Sequence, residues 1–410
     1  MTEQKKIREP LFRLVKRTNQ SAWLPWVVRI VTVLSSFVLI GILTWIAYGV
    51  NPLNVYGYML TGAFGTKFKI MRLLRDLAIL LLFALAVTPA FKMKFWNIGA
   101  EGQVLMGAFC CMVCIFYLGG KIPNGLLLLV SLIAALLGGA IWAVIPALFK
   151  AKWNTNETLF TLMMNYVAIQ IILYAIKIWA PSGTGILTPS DFGHLPKIGG
   201  DNFWFSIIVA LVMTALMFTY LRYTKHGYEI TVVGESENTA RYIGINVKKV
   251  IIRTLIVSGI ICGITGFLLV AGINHTVSST TAGGRGFTAI LVSWLAKFNP
   301  IGMIFTSLLV VFLSKGMDEV MTMNGVTNSF FSQVVTGVAF LMIIGCEFFI
   351  NYKIIFRSRS EKSAVAPVQE AGAAEGSDET PALADTTPPE EAPQTPAEDV
   401  AASDDAAKEE

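Results

Sequence analysis

Apolar runs of about 20 residues, separated by short polar or basic stretches, recur from residue 26 to residue 355. Each is long enough to cross a hydrocarbon core of roughly 30 Å as an α-helix. The runs do not alternate with period two, which excludes the strands of a transmembrane barrel. The pattern predicts an all-α, polytopic helical membrane protein with ten crossings, near 27–49, 71–91, 98–118, 125–148, 157–180, 203–221, 250–273, 286–298, 301–316 and 329–351. Asn299-Pro300 interrupts 286–316, and neither half reaches 20 residues. A pair of short crossings or a re-entrant hairpin meeting at Asn299-Pro300 keeps the later segments in register with the membrane. Such broken segments survive in a bilayer where protein or a water-filled cavity covers the freed backbone groups, which points to a translocation path. A simple proline kink is the other reading. The stretch 51–69 reads as a short interfacial helix with Tyr56, Tyr58 and Phe64 at headgroup level.

Composition supports the membrane reading. Apolar residues make up 54% of the 410 and charged ones only 14%, against roughly 25% in soluble domains. The net charge of +5 conceals a division, because residues 364–410 hold 13 acidic residues against a single lysine. That segment also carries Pro381, Pro388, Pro389, Pro393 and Pro396, has little to bury, and reads as a disordered acidic tail. Basic residues cluster at Lys5–Arg17, Lys92/Lys94, Lys150/Lys152, Arg222–Arg253 and Lys353–Lys362. By the positive-inside rule these connections and both termini are cytoplasmic. The start is basic and broken by Pro10, and the first apolar run is too long for a signal-peptide core, so it reads as an anchoring helix. Three regions follow: a basic cytoplasmic arm over 1–25, a transmembrane domain over 26–355, and the tail over 364–410.

Catalytic constellations are not apparent. Cys110, Cys111, Cys114, Cys262 and Cys346 lie in apolar runs, and the Cys111/Cys114 pair has no second pair or histidine beside it, so these read as packing residues rather than a metal site. His194, His226 and His275 fall in connections. The chain has no G-x-x-x-x-G-K-[ST], hence no phosphate-cradling loop of its own.

Polar residues inside the apolar runs are the better candidates. Asn97 and Glu101 are four apart and share a helical face, with Gln103 about 200° around from Glu101. Glu157, Thr161 and Asn165 form one stripe at i, i+4, i+8. Such groups should face protein or water, since ionisable side chains facing lipid cost several kcal/mol. Together with Trp96 and Phe287 they supply donors, acceptors and flat apolar surface for a polar solute. A structural role competes: Glu101 and Glu157 each fall near a helix start, close after Lys92/Lys94 and Lys150/Lys152, where the helix dipole and a local ion pair account for them. Gly99, Gly102 and Gly107 also suggest close helix packing.

The longest cytoplasmic connection, 223–250, holds Gly234 and Gly244 bracketing Glu235–Ile243, which suits a two-turn helix capped by Ser236 or Asn238. Here Gly234-Glu235-Ser236-Glu237-Asn238-Thr239-Ala240-Arg241-Tyr242-Ile243-Gly244-Ile245 resembles the coupling segment of ABC-importer permeases of the branched-chain amino acid and simple-sugar group. Asn97-Ile98-Gly99-Ala100-Glu101-Gly102-Gln103, Asn156-Glu157-Thr158-Leu159 through Asn165-Tyr166, and Gly284-Arg285-Gly286-Phe287 followed by Asn299-Pro300-Ile301-Gly302 are similar to further segments of its nucleoside and simple-sugar branch. The likeness covers roughly 60–350. Thr288 departs from it where an acidic residue is usual, and Lys297 where a small one is.

The resemblance implies a permease subunit of an ATP-driven importer of nucleosides or a related simple sugar, in the cytoplasmic membrane of a bacterium. It implies that Gly234, Glu235, Ser236, Glu237, Asn238, Ala240, Arg241 and Gly244 engage a separate ATPase, with two fused cassettes, that holds the ATP and magnesium. The chain itself then binds no cofactor or metal. Further implied partners are a second permease copy or a paralogue and an extracellular substrate-binding lipoprotein, with no nucleic acid. The rival reading is a secondary transporter in which Glu101 or Glu157 carries a coupling proton.

Overall fold

The computed structural model describes residues 12–16, 23–180, 187–197, 203–326 and 330–356. The acidic tail and the first eleven residues of the basic arm lie outside them. The described residues form α1 (Leu24–Tyr48), α2 (Pro52–Phe64), α3 (Lys67–Lys92), α4 (Ala100–Leu118), α5 (Asn124–Trp153), α6 (Glu157–Trp179) and α7 (Phe203–Tyr223). They continue through α8 (Lys225–Glu235), α9 (Glu237–Tyr242), α10 (Val247–Phe267), α11 (Arg285–Leu295), α12 (Pro300–Met323) and α13 (Phe330–Asn351). A π-helical stretch, Leu268–Asn274, prolongs α10. Among the described residues the one departure from all-α is a pair of short strands, β1 (Phe12–Lys16) in the basic arm and β2 (Tyr352–Phe356) after α13.

Among the described residues seven helices are long and apolar enough to cross a membrane: α1, α4, α5, α6, α7, α12, and α10 with its π-helical extension. The helix starts follow local chemistry. Asn51, Thr66, Asn156, Thr224, Ser236, Asn246 and Asn299 each cap a helix by accepting a backbone N–H two or three residues on. A 26-residue helix, α3, runs through the centre and is buried on every side from Ala78 to Phe91. It therefore meets protein on all sides over that stretch.

Small residues set the packing around it. A Cβ on Gly139 would lie 2.3 Å from the Gly259 carbonyl oxygen, and one on Gly263 would lie 2.4 Å from that of Ala135, so α5 and α10 touch backbone to backbone. On the neighbouring seam, Gly107 meets Gly263 and Gly266 meets Val104 and Ala108. Glycines allow this close approach, which maximises van der Waals contact where lipid supplies no hydrophobic drive. A second apolar cluster joins α1, α2, α12 and α13 through Ile40, Val55, Met59, Leu313, Met317 and Val335. The helix expected over 51–69 is thus α2, seated on α12 with Met59 against Gly316, while Tyr56 donates to the Phe37 carbonyl.

The break at Asn299-Pro300 falls as expected, but its two halves are unequal. Short α11 spans 11 residues, about 16 Å, too little to cross. After it Lys297 and Phe298 take left-handed backbone conformations, and Asn299 caps α12. The second half runs 24 residues to Met323 rather than ending at 316, which places Asp318 and Glu319, as well as the expected Lys315, inside a helix. Ion pairs from α3 accommodate two of them: Lys315 with Asp76 at 3.0 Å and Glu319 with Lys69 at 2.8 Å. Of the three histidines expected in connections, His194 and His275 lie there and His226 does not. His226 lies in the first turn of α8, and His194 and His275 stack face to face with centroids 3.9 Å apart.

Candidate functional site

After α3 the chain does not pass directly into the next helix. Residues 95–98 are non-helical and fold inward until Asn97 is fully buried. Its Nδ2 donates to Ser258 Oγ, eleven residues along α10, or about 16 Å from that helix's start. Helix α4 therefore begins deep within the protein. Its first N–H groups need partners there, since an unpaired buried donor costs roughly 1–3 kcal/mol. Gly99, at the N-cap, has no side chain to offer, so others supply the caps. Asn97 Oδ1 accepts from Gly99 N and from Gln103 Nε2, at 3.0 and 3.2 Å. Asn165 Oδ1 accepts from Gly102 N at 2.8 Å while its Nδ2 donates to the Ile98 carbonyl. Thr161 Oγ1 accepts from Ile98 N, and Cys262 Sγ donates to Gln103 Oε1.

This network unites Asn97, Gln103, Thr161 and Asn165. Their arrangement differs from the helical wheel, because Asn97 precedes α4 and faces Gln103 rather than sharing Glu101's face. Glu101 turns elsewhere. Its two carboxylate oxygens accept from Gly284 N and Gly286 N, each at 2.7 Å, at the start of α11. The buried carboxylate meets the positive end of the short helix, so the N-termini of α4 and α11 join inside the protein. Gly286 is required for this approach, as a Cβ there would lie 2.7 Å from Glu101 N. The local pair with Lys92 or Lys94 is replaced by a contact 183 and 185 residues distant. Glu157 does form its local pair, with Lys150 Nζ at 2.9 Å. Trp96 and Phe287 stay 42% and 45% exposed, Trp96 resting on Trp294 of α11 with centroids 5.4 Å apart.

None of the eight residues expected on the pathway lines the cavity of about 450 Å³ between α3, α11, α12 and α13, although Gly284 does. Its wall includes Asp76, Arg285, Lys315, Gln333, Thr336 and Phe340. Asp76 Oδ1 accepts from Arg75 Nε and Nη2 at 3.0 and 2.9 Å, and its Oδ2 faces Lys315. The signal for this site was present in the sequence as charges inside apolar runs, at Arg75-Asp76 and at Lys315.

The segment bracketed by Gly234 and Gly244 holds the expected short helix, α9, and a second helix leads into it. Helix α8 reaches back to Lys225 and is tied to α10 by the Glu229–Arg253 ion pair. Ser236 ends it and caps α9, accepting from Thr239 N. Ala240 is fully buried, whereas Tyr242 is 93% exposed beside the surface pair Glu237–Arg241. Gly244 has φ +84°, a left-handed turn that releases the chain into α10. At the other bracket Gly234 lies directly on the carbonyl of Lys92, the last residue of α3; a Cβ would come within 2.2 Å of that oxygen. The amphipathic unit α8–α9 is thus seated on the end of the buried central helix.

A bundle of apolar helices with an internal break, a polar chamber and an exposed helix pair in contact with α3 defines a membrane-embedded transport subunit. The chain belongs to the family of branched-chain amino acid transport system permease components, whose model matches residues 69–344. The glucose ABC transporter permease protein of Haloferax volcanii is 28% identical over 358 residues, covering 83% of this chain and 93% of that protein. The nucleoside ABC transporter permease protein NupB of Lactococcus lactis is also 28% identical, over 81% of this chain and 93% of its own length. The guanosine ABC transporter permease protein NupP of Bacillus subtilis is 27% identical over 66% of this chain and 79% of its own. The chain is accordingly a multi-pass ABC transporter permease subunit, of the kind that works with an ABC ATPase and a substrate-binding protein.

Proposed function

We propose that this subunit carries nucleosides or a related simple sugar into a bacterial cell through the cytoplasmic membrane, with both termini cytoplasmic. A separate ATPase, with two fused cassettes, binds ATP and magnesium and docks on α8–α9, and a second permease copy or paralogue completes the pathway. An extracellular lipoprotein delivers the solute. The names of the relatives support this substrate class, and the basic residues around α8–α9 support the orientation.

The observation that carries the mechanism is the seat of Gly234 on Lys92. Movement of α8–α9 bears on the end of α3, and α3 reaches Asp76 in the chamber wall 16 residues away, about 24 Å along the helix. Interiors packed this tightly shift as bodies rather than deform. The stroke of the ATPase is therefore delivered to the chamber through α3. In this reading Glu101 serves transport indirectly, by anchoring α11 to α4. The proton-carrier alternative is disfavoured because both Glu101 oxygens accept backbone N–H groups and Glu157 is paired with Lys150.

Exposed Tyr242 and Arg241 supply the test. Arg241→Glu combined with Tyr242→Ala should abolish co-purification of the ATPase while membrane insertion stays normal. Co-purification at the parent level would refute docking at α9.

A further inference from the structure

We infer that α11 travels with α3 as one body during the stroke, clamped to it by the buried hydroxyls of Thr88 and Ser293. These two are positioning residues for transport. The inference rests on the permease reading above and names the contact that passes the stroke on from α3.

The clamp lies one helical turn, about 6 Å, from Lys92, where Gly234 is seated. Thr88 Oγ1 and Ser293 Oγ are 2.6 Å apart, and both reach the Ala84 carbonyl of α3, at 2.6 and 3.1 Å. Two hydroxyl protons satisfy this triangle: one hydroxyl donates to the other, and one donates to the carbonyl. Both residues are fully buried, and interhelical hydrogen bonds help hold helices together where lipid supplies no hydrophobic drive. The tie from α11 to α12 is weaker. Thr306 has one proton for the carbonyls of Val292, Gly302 and Met303, at 3.3, 3.4 and 3.3 Å. Met303 itself offers Thr88 only a thioether, a weak acceptor.

The joints of α11 fit such a movement. Between α11 and α12, Lys297 and Phe298 have φ of +51° and +57°, two consecutive side-chain-bearing residues in the left-handed region that Cβ disfavours. Backbone held this way gathers at switches. At its other end α11 begins on Gly284 and Gly286, pinned by Glu101. It is thus an 11-residue rod between two joints with α3 fixed to its side. The ion pair of Asp76 with Lys315 ties α3 to α12 as well, but 12 residues from Thr88, about 18 Å along the helix. It holds the far part of α3 and leaves the Lys92 end to swing. Thr288 of α11 lines the chamber together with Ser314 of α12 and Thr336 of α13, so a swing of the α3–α11 body changes their spacing.

The test uses the complete transporter in proteoliposomes, with radiolabelled guanosine and glucose as probes. Ser293→Ala removes the hydroxyl that α11 contributes, while Thr88 still donates to the Ala84 carbonyl, so no buried donor is orphaned. Maximal uptake should fall about fivefold at unchanged KM, which is what one buried hydrogen bond contributes. ATP hydrolysis should continue, so that more ATP is consumed per solute. Thr88→Ser, which keeps its hydroxyl, should retain most of the parent rate. Parent-level uptake in Ser293→Ala, an equal loss in Thr88→Ser, or an unchanged ratio of ATP to solute overturns the inference. Failure of the parent transporter to take up either probe with ATP would instead strike the permease reading.

A covalent clamp is the sharper form of the experiment. The two oxygens are close enough for Thr88→Cys plus Ser293→Cys to close a disulfide, and the oxidised pair should still transport because α3 and α11 move together. Transport that stops on oxidation and returns with reductant overturns the inference, and a pair that cannot close denies the contact itself. A further readout needs no solute. In the complex with the ATPase, alkylation of Thr288→Cys should change when ATP binds, and adding Ser293→Ala should erase that change. An ATP response that is absent, or that survives Ser293→Ala, contradicts the clamp.

Discussion

Glu101→Ala is expected to destabilise the solubilised permease by about 3–5 kcal/mol and to abolish uptake. Two charge-assisted hydrogen bonds of 2.7 Å hold the start of α11 to this one side chain. Hydrogen bonds to charged groups contribute roughly 1.5–3 kcal/mol each, and the substitution leaves two buried N–H groups unpaired. Glu101→Gln keeps the shape and one acceptor oxygen but turns an amide donor towards a backbone donor, so it should fall between the parent and alanine. Thermal inactivation half-lives in detergent compare the three, since membrane proteins of this kind unfold irreversibly. An alanine variant as long-lived as the parent would show that α11 is anchored by something else. The same variant should raise alkylation of a cysteine placed at Phe287, because α11 is no longer fixed at its N-terminus.

Gly234→Leu should separate ATP hydrolysis from transport. No side chain fits at this position, because the first carbon of one would lie 2.2 Å from the Lys92 carbonyl oxygen, and backbone cannot move aside cheaply. The substitution lifts α8–α9 from the end of α3 while leaving the exposed surface of Tyr242 and Arg241 intact. The ATPase should still co-purify and hydrolyse ATP, and uptake should fall by at least about tenfold. Gly57→Ala is the control: nothing lies within 4 Å of its added Cβ, so uptake should not change. Loss of uptake in both variants, or in neither, would argue against α3 as the transmitting element.

Much of the architecture was legible because a bilayer imposes one simple rule, that long apolar runs become helices. The break at Asn299-Pro300 could be read from proline chemistry and run length alone. Other features were hidden for physical reasons. Helix α8 mixes Lys225, His226, Gly227 and Glu229 with apolar residues, and it is held by its tie to Arg253 on α10, which periodicity does not report. The end of α12 was placed too early because Lys315 and Glu319 look like the edge of a membrane run. Their partners Asp76 and Lys69, about 250 residues earlier, make them affordable inside it. Glu101 stood out at once as a carboxylate in an apolar setting, yet helix periodicity gives only neighbours three and four residues away. Its partners Gly284 and Gly286 come from another part of the chain, and glycines carry no side-chain signal of a contact. Asn97, Thr161 and Asn165 were recognisable as polar residues needing company. That they cap a helix beginning inside the protein follows only from the inward fold of residues 95–98.

The central claim is that hydrolysis on a separate ATPase, delivered through α8–α9, moves a nucleoside or simple sugar past this subunit. Uptake into proteoliposomes containing the chain, its partner permease, the ATPase and the binding protein measures it directly. Uptake that requires internal ATP, survives dissipation of the proton gradient and disappears with Arg241→Glu plus Tyr242→Ala is the predicted result. Uptake driven by a proton gradient with the ATPase left out would contradict it.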